Sequence, residues 1–169
     1  MRNWALLLAR LTIAGCVLPA AVVHASNISG FALAFWMKGM PVPHAVATAC
    51  VMAELAGALF LVLGVAPPLT ASAMIRSLVI TTGTFHRFWD VVGAARAPEQ
   101  AIFLGNLAII AALTYYALTG PGEWSWRALW ARVRSSPAKS LENARKKPTG
   151  ARPPRAKKAP AQEGLAEAA

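Results

Sequence analysis

Four long apolar stretches crowded into the first 119 residues constrain this chain more than any motif does. They run roughly over 5–25, 45–65, 69–85 and 101–119. About 20 predominantly apolar residues, each rising about 1.5 Å along a helix, match a hydrocarbon layer about 30 Å thick. Pro41 and Pro43 precede the second stretch, Pro67 and Pro68 separate it from the third, Pro98 precedes the fourth, and Gly120 and Pro121 close it. These residues start and stop helices. Spanning strands would alternate apolar and polar positions over about ten residues, and no such alternation is present. Helices satisfy every backbone group in lipid without a partner strand, so the expected fold is all-α, a transmembrane four-helix bundle followed by a disordered basic C-terminal tail. The expected divisions are a membrane domain over 1–119, an interfacial amphipathic segment over 120–134 and the tail over 135–169.

Charge follows the same division. The formal net charge is +10 in a chain that is 56% hydrophobic and 14% charged. Residues 1–119 hold six Lys or Arg against Glu54, Asp90 and Glu99, and the other eleven basic residues lie beyond Thr119. A strongly basic total can indicate nucleic acid, but no aromatics are interleaved with Lys146, Lys147, Arg155, Lys157 and Lys158 to stack on bases, so nucleic acid is not the expected partner. Four crossings put both termini on one side. Arg2 before the first stretch and Arg127, Arg132, Arg134 and Lys139 after the fourth make that side cytosolic by the positive-inside rule. The expected location is a multi-pass position in the cell's plasma membrane, with the loops at 26–44 and 86–100 facing outward.

Two short patterns offer another fate for the N-terminus. Val23-His24-Ala25 before Ser26 looks like a signal-peptidase site, and Ile13-Ala14-Gly15-Cys16 like a lipoprotein cleavage box. Arg10 interrupts the apolar core that a lipoprotein signal needs, so the retained helix is the expectation. An intact mass distinguishes the two.

The informative positions are polar ones inside the apolar stretches. An ionised side chain near the bilayer centre costs roughly 2.5–3.5 kcal/mol even on the lenient insertion scale, so Arg10, Glu54 and Arg76 each need compensation. Glu54 and Arg76 fall near the middle of adjacent antiparallel helices and are expected to pair. An ion pair that only fixes helix register is the bland reading; a proton or ligand site between helices is the functional one. Cys50, Glu54, Gly57, Ala58 and Leu61 share a helical face, which points the carboxylate into the bundle. Ala49, Ala53 and Gly57 recur every fourth position and allow close helix approach.

His24, His44 and His86 all fall at the ends of stretches, on one level of the expected topology. Their spacing is no metal motif, and no metal site is expected. Cys16 and Cys50 read as small buried hydrophobes. Phe85, Phe88 and Trp89 flank His86 as an interfacial aromatic belt does. Asn106, about a turn and a half into the fourth stretch, reaches a similar depth and could hydrogen-bond His86. His86, Trp89 and Asn106 are therefore candidates for a polar mouth.

After Gly122, the spacing of Trp126, Leu129, Trp130 and Val133 predicts an interfacial amphipathic helix over 124–134. Beyond Ser135 there is no apolar period, and the basic residues should be attracted to anionic lipid headgroups.

Phe85-His86-Arg87-Phe88-Trp89, a short polar loop and then Phe103-Leu104-Gly105-Asn106-Leu107-Ala108 resemble the third-to-fourth helix junction of the DoxX-like family of small four-helix integral membrane proteins. Arg10 and Gly15, then Gly30-Phe31, are similar to its first helix and following loop. Gly39 to Pro43, Glu54, Leu55, Gly57 and Gly64 are similar to its second-helix signature. The resemblance covers about 8–118. It implies a compact membrane bundle, an accessory role in a membrane redox or quinone-linked complex, a redox enzyme or another membrane subunit as partner, and a quinone as the cofactor to consider. Arg10, Glu54, His86 and Asn106 match the family's polar positions. Where members often place a Lys at the end of the first helix, this chain has His24 or Ser26.

No nucleophile and base pair, dinucleotide fingerprint or phosphate loop is present, so no catalytic residue is assigned and a stand-alone enzyme is not supported. Two other classes stay open. One is a small transporter in which Glu54 changes protonation as a solute passes, and the other is a purely structural assembly subunit.

Overall fold

The structure, a computed structural model, describes residues 2–134, and these contain helices and turns but no strand. The six α-helices are α1 (Arg2–Ser26), α2 (Ile28–Met37), α3 (Pro43–Leu63), α4 (Pro67–Phe85), α5 (Arg96–Thr119) and α6 (Trp126–Arg134). The expected tail over 135–169 lies outside the described residues.

Local chemistry places the helix ends. Pro43 and Pro67 occupy first-turn positions of α3 and α4, where the missing N–H leaves no bond unmade. Gly64 ends α3 in the left-handed region at φ 69°, and the Val65 N–H then reaches back to the Phe60 carbonyl at 2.9 Å. Asn27 caps α2, its Oδ1 accepting from the Gly30 N–H at 2.9 Å.

Segments Asn3–Ser26, Pro43–Leu63 and Gly93–Thr119 are long and apolar enough to cross a membrane. Helix α4 falls outside that group because it carries Thr70, Ser72, Arg76, Ser77, Thr81 and Thr82. It completes the bundle by packing between α3 and α5, with Ser77, Thr81 and Thr82 buried. Helix α3 also packs on α1 and α2, whereas α1 and α5 touch sparsely. The protein is thus an all-α membrane helical bundle.

Four contacts fix the direction of the helices. Arg10, near the start of α1, donates to carbonyls at the end of α3 (Val62, 3.3 Å) and just beyond α5 (Trp124, 2.6 Å). Asn3 Nδ2 donates to Glu123 Oε2 at 2.8 Å, and Trp4 packs on Trp124 with centroids 4.2 Å apart. The start of α1 and the ends of α3 and α5 therefore meet at one end of the bundle, as an up-down-up-down path requires.

The core has two parts. Ile13, Val17, Ala58, Leu61, Met74, Leu78, Leu113 and Tyr116 pack together nearer the Arg10 end. Phe31, Ala32 and Phe35 of α2 pack on Ala47, Cys50 and Val51 of α3. The segment 26–44, expected as a loop, thus contains a ten-residue apolar helix, too short to span but able to bury two phenylalanines. At Gly57 a Cβ would collide with Met74, so this glycine lets α4 approach α3 closely. The fourth expected stretch begins earlier than its apolar run, because α5 starts at Arg96 with a polar first turn.

Candidate functional site: a polar cavity between the helices

A cavity of about 400 Å³ lies along the seam where α1 and α5 touch sparsely. Val17 and Leu78 of the first core part and Phe31 of the second bound it. Its polar lining comes from four elements: His24 at the end of α1, Glu54 in mid-α3, Thr81 and His86 at the end of α4, and Asn106 in α5. Phe85 and Ile102 complete the rim near His86 and Asn106.

Glu54 is 3% exposed. The Ser77 hydroxyl donates to its Oε1 at 2.8 Å. Its Oε2 lies 3.5 Å from Nδ1 of His24, at ion-pair distance, but neither atom makes a directed hydrogen bond. The imidazole is held in place from its face: it stacks on Phe31 with centroids 3.9 Å apart and planes 3° from parallel. Phe31 is in turn packed against Phe35 and Phe85. Helix α2 therefore positions His24 over the carboxylate.

The other wall is built by paired side chains. The Glu99 carboxylate accepts from Nδ1 of His86 at 2.9 Å, which assigns the ring proton to Nδ1 and leaves Nε2 as the second polar atom of the ring. Asn106 Nδ2 donates to Thr82 Oγ1 at 2.9 Å. Both α5 side chains thus reach across to the end of α4. Among the described residues no group of three or more His, Cys, Asp or Glu is arranged to hold a metal ion.

The expected site residues separate into four places. Glu54, His86 and Asn106 line one cavity, although Asn106 bonds Thr82 rather than His86. Trp89 does not line it; it is exposed and packs edge-on against Phe88 and Phe103. Arg10 is 1% exposed and serves the far end of the bundle through carbonyl contacts, not through Glu54. The expected Glu54–Arg76 ion pair is absent among the described residues: Arg76 is exposed, about 100° around α4 from the buried Ser77 that engages Glu54, and borders a separate cleft. Depth alone suggested that pairing. Helical phase argues otherwise, because Met74, Ser77, Leu78 and Thr81 form the buried stripe of α4 and exclude position 76. The same stripe would have picked out Ser77. His24 needed α2 to be seen, since its role depends on Phe31.

The bundle and its internal polar cavity define a multi-pass helical membrane protein. Residues 5–87 match the DoxX family model, a span that includes Arg10, His24, Glu54, Arg76 and His86. Over 87 residues the chain is 33% identical to Inner membrane protein YphA of Escherichia coli (strain K12), covering 50% of this chain and 60% of that relative. The matched region is thus less than two thirds of the relative's length. No solved structure matches. Residues 5–87 thus form a DoxX-like domain.

Proposed function

We propose that this protein is an accessory subunit of a membrane redox complex that holds a small quinone-type ring in the cavity of Glu54, His24, His86 and Asn106. The observation that carries this reading is the convergence of those four polar side chains, from α1, α3, α4 and α5, on one cavity bounded by Phe31 and Phe85. Such a lining, mostly apolar with a few converging polar groups, is what small-molecule sites have in common. The residues fit the ligand class: aromatic rings to pack against a ring, Asn106 and the histidines to meet oxygen atoms at its edges, and a seam between α1 and α5 by which a lipid-dissolved tail can remain outside.

A bound quinone would supply two-electron, two-proton chemistry, its electrons coming from a redox partner. The chain's own part is to bind, orient and hold protons. Oε2 of Glu54 and Nδ1 of His24, close to each other but in no directed hydrogen bond, are two positions at which a proton can reside inside a water-poor interior. Both termini are proposed to face the cytosol, on the Lys and Arg count flanking the bundle. Helix α6 and the basic tail are proposed to rest on anionic headgroups.

Titrating a short-chain ubiquinone analogue into the protein in lipid nanodiscs tests this directly. Saturable binding is expected for the natural chain, weakened at least tenfold in Glu54→Gln and in His86→Ala. Equal, non-saturable partitioning into all three would overturn the reading. A proton flux in sealed vesicles that depends on Glu54 without any quinone would favour the permeation alternative instead.

A further inference from the structure

Arg76 is the tenth residue of the nineteen in α4, so it lies at mid-depth of a helix about 28 Å long. It is exposed, and among the described residues no carboxylate pairs with it. Glu54, among the described residues the one acid at comparable depth, is buried and engaged by Ser77 and His24. A guanidinium so placed is too far from either end of the helix for its stem to carry the charge fully to the headgroups.

The surface beside it is shaped for close contact. Arg76 borders a cleft of about 470 Å³ whose α3 wall includes Ala45, Ala49 and Ala53 beside Val46 and Cys50, with Ala73, Ser77 and Ile80 on the α4 wall. The three α3 alanines repeat every fourth residue and form one small-residue stripe. At its end, Gly57 is used within the molecule, against Met74; the remainder faces outward. In lipid such a stripe lets another helix backbone approach closely.

Charge selects the occupant. A second copy seated two-fold on the same face would bring Arg76 toward Arg76, and Asp90, Glu99 and Glu123 lie in the turns or the first turn of α5, away from mid-depth. We propose that the α3/α4 cleft is a docking surface for a membrane-spanning helix of a different protein, one that carries an Asp or Glu near its middle to pair with Arg76. This surface is separate from the quinone-type cavity and does not depend on that assignment.

The test uses the full chain reconstituted in phosphatidylcholine vesicles with dye-labelled spanning peptides of Leu and Ala bearing a single central Glu, Leu or Lys. Energy transfer from the protein should report the Glu peptide bound at least tenfold more tightly than the Leu or Lys peptide. Arg76→Leu should abolish that preference and Arg76→Glu should shift it to the Lys peptide, while Ala49→Trp should block the Glu peptide with the charge intact. Thermal unfolding of each variant, close to that of the natural chain, shows that the bundle persists. A preference that survives Arg76→Leu, or the absence of any preference, overturns the proposal. So does a photocrosslinker at Ala49 that captures only a second copy, or an Arg76 effect that appears only when anionic lipid is added.

Discussion

Nδ1 of His24 lies 3.5 Å from Oε2 of Glu54, with neither atom otherwise hydrogen-bonded, on the wall of a cavity inside a membrane bundle. The two side chains come from helices that end and pass at different points, and what brings them together is the stack of His24 on Phe31. The contact thus depends on α2 as much as on either partner. An unsatisfied pair of this kind is costly in a protein interior unless something fills the gap, which is why it reads as half of a binding site.

It follows that His24→Phe should separate packing from chemistry. A phenyl ring can keep the stack on Phe31, so thermal stability should change by less than about 1 kcal/mol, within the range for a volume-conserving change. Binding of the short-chain ubiquinone analogue should fall at least tenfold. A variant that binds normally would remove His24 from the site.

Ser77→Ala tests the other side of Glu54. It removes the hydroxyl that donates to Oε1 and leaves a buried carboxylate oxygen without a donor. The expected loss is about 1–3 kcal/mol, the cost of stranding a buried acceptor. Glu54→Gln in the Ser77→Ala background should recover part of it, because an amide can donate as well as accept. Chemical denaturation in detergent micelles measures both variants against the natural chain.

At the far end of the bundle, Arg10 joins the end of α3 to the segment after α5 through the carbonyls of Val62 and Trp124. Arg10→Met keeps much of the stem but leaves both carbonyls without this donor, for an expected loss of roughly 3 kcal/mol. Gly64→Ala should be destabilising for a related reason. Position 64 has φ 69°, and a Cβ there would press on Nη1 of Arg10 and on Ser125. Quinone-analogue binding measured on the folded fraction should be unchanged in both variants, since neither residue touches the cavity.

The bundle was legible in the sequence because helix length and apolarity are set by the membrane, and the positions of Pro43, Pro67 and Gly64 mark where helices begin and end. That Glu54 faces inward was legible from the face it shares with Cys50, Gly57, Ala58 and Leu61, all buried. Helix α2 was not, because ten apolar residues fall short of a span and Ser29 and Gly30 read as loop. The partner of Glu54 was misjudged for a different reason: two residues at one depth on facing helices can pair only if their helical phases agree, and Arg76 points away where Ser77 points in. Glu99 escaped notice because it sits in a polar stretch before the apolar run, on a turn that the structure adds to α5.

That extra turn carries the last prediction. Glu99 grips His86 at 2.9 Å, with both side chains roughly one third exposed. A partly exposed pair of this kind contributes little to stability, on the order of 1 kcal/mol or less. Its effect should instead be on the imidazole, whose Nδ1 it holds while Nε2 remains as the second ring nitrogen. Glu99→Ala should therefore leave the unfolding temperature almost unmoved and weaken the quinone analogue severalfold, by freeing the ring to rotate. Glu99→Asp should fall between, its shorter stem reaching His86 less well. If Glu99→Ala instead lowered stability strongly with binding to the folded fraction intact, the contact would be a fastener between α4 and α5 and not a means of orienting His86.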